Sequence, residues 1–351
     1  ADLSISRNSN ATFVNKRGVI ETALPNVPRF DWSSGEPALL TEPQAENLIE
    51  YSEDFSQWGD SFSGSGSSVV INSNNAVSPD GTINATNLQF DLNGGNTSSD
   101  NSLLTISYIA TNGQELTSSM WIKSADSNDY DVALDSDSQQ SEIITATNQW
   151  QRLETSRVGS STGARTIKLG LRGSFGTSDN ANILVYGAQL EQGSVATSYI
   201  PTDGATAVRL ADTGIETGDI SQYIDSSNFT LEIAFKSLVS YSQDMRFTLS
   251  DNSTSNRLRV TKLTNGTIAV AFDINNTSSL VSFSESNPPS EDFVLKIGAK
   301  SGDYFASIDG VDFGNSTQSL TFNALDVKYF KLSEINNTQN VFAEIKSIKI
   351  S

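Results

Sequence analysis

Glu50, Glu53 and Asp54 crowd together in the stretch ENLIEYSEDFSQWG at positions 46–59, and clustered carboxylates are the first residues of this chain that could do chemistry. Two carboxyl groups about 5–10 Å apart on either side of a glycosidic bond can hydrolyse it. The same groups are hard oxygen ligands for a divalent cation. A third role is plain solvation beside the apolar anchors Leu48, Ile49, Phe55 and Trp58. Nothing in the sequence places a second carboxylate opposite the first set, so the spacing favours a boundary of packed structure over a catalytic pair.

A second acidic stretch, SADSNDYDVALDSDSQQSE at 124–142, begins with the spacing of a calcium-binding helix-loop-helix, with Asp126 first and Asn128 third. The pattern then fails. Tyr130 holds the fifth position, Asp131 replaces the sixth-position glycine that the loop needs, and Asp137 stands where a bidentate Glu belongs. A solvated acidic loop is the better reading. Saccharides stack their C–H faces on aromatic rings, which makes Tyr130, Trp121 and Trp58 the ring candidates. For the tryptophans packing outranks stacking, because large aromatic side chains are mostly buried. Tyr130, flanked by Asp129 and Asp131, is expected to be the most exposed.

Composition removes whole classes of mechanism. The 351 residues contain no histidine and no cysteine, so catalytic triads built on His, thiolate nucleophiles and zinc sites with imidazole or thiolate ligands are excluded. The formal charge of -19 and the lack of any Lys/Arg run argue against nucleic acid and anionic membrane surfaces as partners. No apolar run approaches a membrane span, and ADLSISRNSN carries no apolar leader core. Asn-x-Ser/Thr triplets such as those at Asn84 and Asn315 arise by chance in so Asn-, Ser- and Thr-rich a chain.

The elements that must position these residues are strands. Period-two apolar spacing between Asn, Gly, Ser and Asp turns marks 84–92, 101–110, 116–124, 130–136, 149–158, 165–173 and 181–191. A second run covers 229–238, 245–251, 257–263, 267–274, 279–285, 292–301, 303–310, 327–334 and 341–350. TNGT at 264–267 and SGDY at 301–304 place glycine where tight hairpins need positive φ. PQAENLIEYS supports a helical turn or two at most. The expected fold is all-β, with two antiparallel β-sandwiches of jelly-roll and concanavalin-like type. Four prolines within positions 25–43 interrupt regular structure near the start. The expected division is an extended N-terminal docking arm at 1–45, a jelly roll at 46–200, a linker at 201–222 and a second sandwich at 223–351.

Several segments then carry a resemblance. SISRNSNATFVNKRGVIETALPNVPRFDW, ENLIEYSEDFSQW and YGAQLEQGSVATSYIPTDGATAVRLAD resemble, in the same order, segments of tailed-bacteriophage virion proteins that carry a carbohydrate-binding-like jelly roll. The match covers about residues 4–58 and 182–212, with looser likeness at WIKSA and QWQRLE, where Trp150 takes an inward position. Separately, DFVLKIGAKSGDYFASIDG and FAEIKSIKI are similar to the hairpin and closing strand of concanavalin-like, laminin-G-type sandwiches.

The resemblance implies a non-enzymatic structural protein at the virion surface: a tail fibre, head fibre or capsid decoration. It implies other virion proteins as partners through the N-terminal arm, a host-surface glycan as the target, and a homo-oligomer, with trimers common in this class. It implies no cofactor beyond a structural calcium that an early acid, Glu53 or Asp54, would ligate, although the late YGAQLE segment lacks the Asp that usually accompanies it. Two other classes fit the composition: a pair of carbohydrate-binding modules from a secreted polysaccharide-degrading system, and a polysaccharide lyase or glycosidase on the second sandwich.

Overall fold

The structure, a computed structural model, describes residues 3–135, 142–223, 228–237, 244–286, 292–300, 302–317, 329–333 and 341–350. The chain is all-β and divides into two compact units. The unit that holds 45–209 is a sandwich of two five-stranded antiparallel sheets. One runs in the order Glu142–Ala146, Tyr130–Asp135, Gly163–Arg172, Asn101–Ala110, Gly59–Ser63. The other runs Gln151–Val158, Glu115–Ser124, Asn180–Gln192, Ile83–Asp91, Val70–Val77.

Alternation explains how the two sheets close. Leu104, Tyr108, Val132, Leu134, Ile167 and Leu169 from the first sheet meet Leu88, Phe90, Met120, Ile122, Ile183 and Val185 from the second in one buried cluster. Each alternate side chain faces the opposite sheet, as a sandwich requires. Ile49, Phe55 and Trp58 join this core and Leu48 packs on it, so the apolar half of the opening stretch anchors the sandwich as expected. No helical turn forms within PQAENLIEYS, where Ala45–Asn47 is extended; a 3₁₀ turn follows it at Phe55–Gln57. Two edge strands, Gly59–Ser63 and Val70–Val77, escape the sequence pattern because they are exposed along most of their length and show little apolar alternation.

Among the described residues, the other unit contains two seven-stranded antiparallel sheets. The first is ordered Leu3–Ser6, Thr213–Thr217, Tyr329–Lys331, Met245–Ser250, Arg257–Lys262, Ile268–Ile274, Thr277–Glu285. The second is ordered Val311–Thr317, Asp303–Ile308, Asp292–Lys300, Asn228–Ser237, Ala343–Ile350, Ala38–Thr41, Arg29–Asp31. Their inner faces share a core that includes Phe229, Leu231, Phe247, Val260, Phe272, Leu295, Ile297 and Tyr304. The TNGT hairpin turns at Gly266 with φ of 88°, and Gly302 in SGDY has φ of 89°; Ser301 lies outside the described residues.

The beginning of the chain differs from the expected arm. Leu3–Ser6 pairs with Thr213–Thr217, inside the supposed linker, while Ala38–Thr41 pairs with Ala343–Ile350 near the C-terminus. The first 45 residues thus supply strands to the second sandwich, and the prolines fall between short strands. A buried charge network explains the arrangement. Asp212 Oδ1 accepts from Arg7 Nη1 at 2.8 Å, and its Oδ2 accepts from Arg29 Nη2 at 2.5 Å and from the Glu42 backbone N–H at 2.9 Å. Arg29 Nη1 also reaches Glu42 Oε2 at 2.7 Å. All four side chains are buried, so each charge depends on the others for the solvation that water would give. Arg7 Nη2 also donates to the carbonyls of Leu24 and Val27, and Asn26 sits at φ of 61° in the same turn.

Candidate functional site

Of the five residues singled out from sequence, two are buried in the packing and a third is half-buried. Trp58 is 4% exposed, stacks at 5.1 Å on Phe55 and donates its Nε1–H to the Tyr51 carbonyl. Tyr130 is 9% exposed, against the expectation of an open ring, because it alternates inward with Val132 and Leu134; its hydroxyl donates to Asp126. Trp121 is half-buried, held between Tyr186, Tyr199 and the Arg152 guanidinium, whose carbon lies 4.6 Å from the ring centroid. Of the three rings, only Trp121 keeps part of its surface accessible. Asp126 serves as a local cap for Asn128 and Tyr130, and Asp137 lies outside the described residues.

The remaining two, Glu53 and Asp54, line a cleft of about 420 Å³ together with Ser56, Ser73, Asn74 and Asn84. Each lining residue is placed by a local feature. Asp54 is the N-cap of the 3₁₀ turn and accepts from the Ser56 backbone N–H, Ser56 Oγ and Gln57 Nε2. These bonds, the Ser56 hydroxyl first, hold its carboxyl below the usual range, so it is ionised across neutral pH. Ser73 and Asn74 lie where the edge strand slips register against Ile83–Asp91, between Asn72 and Ala76, and Asn74 takes φ of 51°. Such a bulge re-aims side chains that a regular strand would send to alternate faces.

Glu53 is fixed from beneath. Its Oε1 accepts from Tyr199 Oη at 2.9 Å and Tyr186 Oη at 3.2 Å, and its Oε2 accepts from Asn84 Nδ2 at 3.0 Å. Burial and the Glu53 charge push both tyrosine hydroxyls well above their ordinary pKa, which keeps them protonated as donors. Asp80 shares the arrangement, taking bonds from Tyr186 and Asn84 in addition to Ser78 and Thr82. Burial would raise its pKa, but the hydrogen bonds from Ser78, Thr82 and Asn84 outweigh that and hold it low. Asn84 Oδ1 is buried and has no donor.

Glu53 and Asp54, the calcium ligands that the resemblance implies, are held by hydrogen bonds from the protein. Calcium takes 6–8 oxygen ligands. Here Glu53 already accepts three bonds and Asp54 is committed to its turn, while Asn84 presents its N–H₂ to the carboxylates. Among the described residues there is no group of three or more acidic side chains that could hold a metal ion. Chemically the cleft is a set of hydrogen-bonding groups with negative charge, suited to a polar, hydroxylated ligand.

Ser56, Ser73, Asn74, Asp80, Asn84, Tyr186 and Tyr199 were not foreseen. Ser and Asn are among the commonest residues in the chain, and only a structure brings position 199 beside position 53.

No known protein family matches the chain, and no curated protein matches it. Among solved structures, domains LG4-5 of the mouse laminin alpha1 chain are 9% identical, over 75% of this chain and 88% of that one, with a TM-score of 0.29. The N-terminal CBM22-1-CBM22-2 tandem domain of Paenibacillus barcinonensis Xyn10C is 11% identical, over 89% of this chain and 99% of that one, also with a TM-score of 0.29. Likeness at this level fixes no ligand.

Proposed function

We propose that this chain is a non-enzymatic glycan-binding protein of a bacteriophage particle, displayed on the virion surface and attaching it to a host saccharide through the cleft at Glu53 and Asp54. The observation that carries the binding reading is the cleft itself: about 420 Å³ lined only by carboxylate, hydroxyl and amide side chains. Such groups exchange hydrogen bonds with sugar hydroxyls at little desolvation cost when the site is already wet. The non-enzymatic reading is supported by what the carboxylates do. Glu53 and Asp80 share the same tyrosine and amide donors, and Asp54 caps a turn, so each carboxylate at this cleft has a structural task.

The particle assignment rests on the phage-like segments. Their buried residues Arg7, Arg29 and Asp212 meet in one network, which supports reading them as one structural unit. Docking on the particle and homo-oligomer formation belong to the same proposal. Two measurements test it. Immunogold imaging of purified particles should label the virion surface, and unlabelled particles would remove the phage assignment. A glycan array should give selective binding that weakens in Asp54→Asn/Asn74→Ala; a blank array would remove the binding assignment.

A further inference from the structure

We infer that the Glu53–Asp54 cleft selects a saccharide bearing a free ammonium group, a de-N-acetylated hexosamine, over its neutral, N-acetylated and acidic counterparts. The inference rests on the glycan-binding reading and deepens it. The lining is unbalanced in a specific way: Glu53 and Asp54 bring two formal negative charges, and neither Lys nor Arg is among the lining residues described. The other wall groups, Ser56, Ser73, Asn74 and Asn84, carry no charge to offset them. Acidic sugars are therefore repelled, the more so by a chain of net charge -19.

The free lone pairs point the same way. An ionised carboxylate offers about four acceptor positions. Glu53 Oε1 receives two tyrosine hydroxyls, whereas its Oε2 receives only Asn84 Nδ2. Asp54 Oδ1 receives both Ser56 donors, whereas its Oδ2 receives only Gln57 Nε2. Each carboxylate thus keeps acceptor capacity on one oxygen. A site with surplus acceptors wants a donor-rich cation, and an ammonium brings three N–H donors with its charge. A calcium ion would want several carboxylates converging on it, and among the described residues no group of three or more acidic side chains does so.

The test is titration calorimetry of the full chain with four β-1,4-linked tetrasaccharides: glucosamine, N-acetylglucosamine, glucose and a uronic acid. The glucosamine oligomer should bind at least about tenfold more tightly than the other three, equivalent to about 1.4 kcal/mol. Its affinity should fall as pH rises through the amine's own titration. Glu53→Gln should remove the preference; because Glu53 also holds Tyr186 and Tyr199, Asp54→Asn on the rim is the second variant and should narrow the preference without unfolding. Equal affinity for glucosamine and N-acetylglucosamine overturns the ammonium inference and leaves glycan binding standing. Failure of all four sugars, together with a blank glycan array, overturns both. Tight binding of CaCl₂ alone, with loss of sugar preference, also overturns it.

Discussion

Replacing Asp212 by Asn tests whether the start of the chain is held by buried charge. The substitution keeps the side chain's shape but removes the charge that Arg7 and Arg29 share, at 2.8 and 2.5 Å. An amide N–H₂ in place of Oδ1 would face the Arg7 guanidinium, and in place of Oδ2 it would face both Arg29 and the Glu42 backbone N–H. Arg29 keeps Glu42, so one of the two cations stays partly compensated. Breaking one partner of a buried ion pair costs about 3–5 kcal/mol. At about 2–4 °C per kcal/mol for a unit of this size, the melting temperature of the second sandwich should fall by roughly 6–20 °C. Trp32 lies in that unit and Trp58, Trp121 and Trp150 in the other, so a variant with Trp32 as its only tryptophan reports the transition by fluorescence. A double-mutant cycle with Arg7→Gln should give a coupling above about 1 kcal/mol. A loss below about 1 kcal/mol in Asp212→Asn, or additive single effects, would refute the idea that this network clamps the first strands.

Asp100, whose oxygens accept from the Thr97 hydroxyl and from the backbone of Ser65 and Thr97, has its pKa held down to about 2. A depressed carboxyl stabilises the fold above its unfolded value near 3.9 and loses that contribution as pH falls through about 2; hydrogen exchange at the Ser65 and Thr97 amides should rise in that window, and Asp100→Asn should abolish the dependence. Gly170 has φ of 146°, and a Cβ there would lie 2.3 Å from the Ser102 carbonyl oxygen. Gly170→Ala should cost the jelly roll roughly 1–3 kcal/mol by chemical denaturation, and an unchanged midpoint would contradict that geometry. Tyr199→Phe removes a bond to Glu53 at 2.9 Å and one to Ser52 at 2.8 Å. It should lower stability by about 1–2 kcal/mol and weaken saccharide binding; unchanged affinity would show that Glu53 needs no support from that side.

The legible part of this protein was the part written in alternation. Strands such as Asn101–Ala110 and Glu115–Ser124 place one apolar face inward and announce themselves. Gly59–Ser63 does not, since it is exposed throughout and is held by backbone pairing to Asn101–Ala110. The strands at 3–6 and 38–41 were hidden for another reason: their partners lie some two to three hundred residues away, and a short strand with a distant partner has no local signature. Glu53 and Asp54 stood out because acids near an apolar anchor invite chemistry. Their role depends on Tyr186, Tyr199 and Asn84, which share no spacing with them. Tyr130 misled because flanking aspartates suggest solvent, whereas strand alternation sends its ring inward.

The central claim, a cleft that binds a saccharide and leaves it unbroken, is tested most directly by capture and recovery. Immobilised protein is incubated with a mixture of oligosaccharides released from host surface polysaccharide, and the retained glycan is eluted and weighed by mass spectrometry. The account predicts a retained glycan of unchanged mass, lost when Asp54→Asn and Asn74→Ala are combined. Shortened or unsaturated products, or retention that ignores those substitutions, would contradict it.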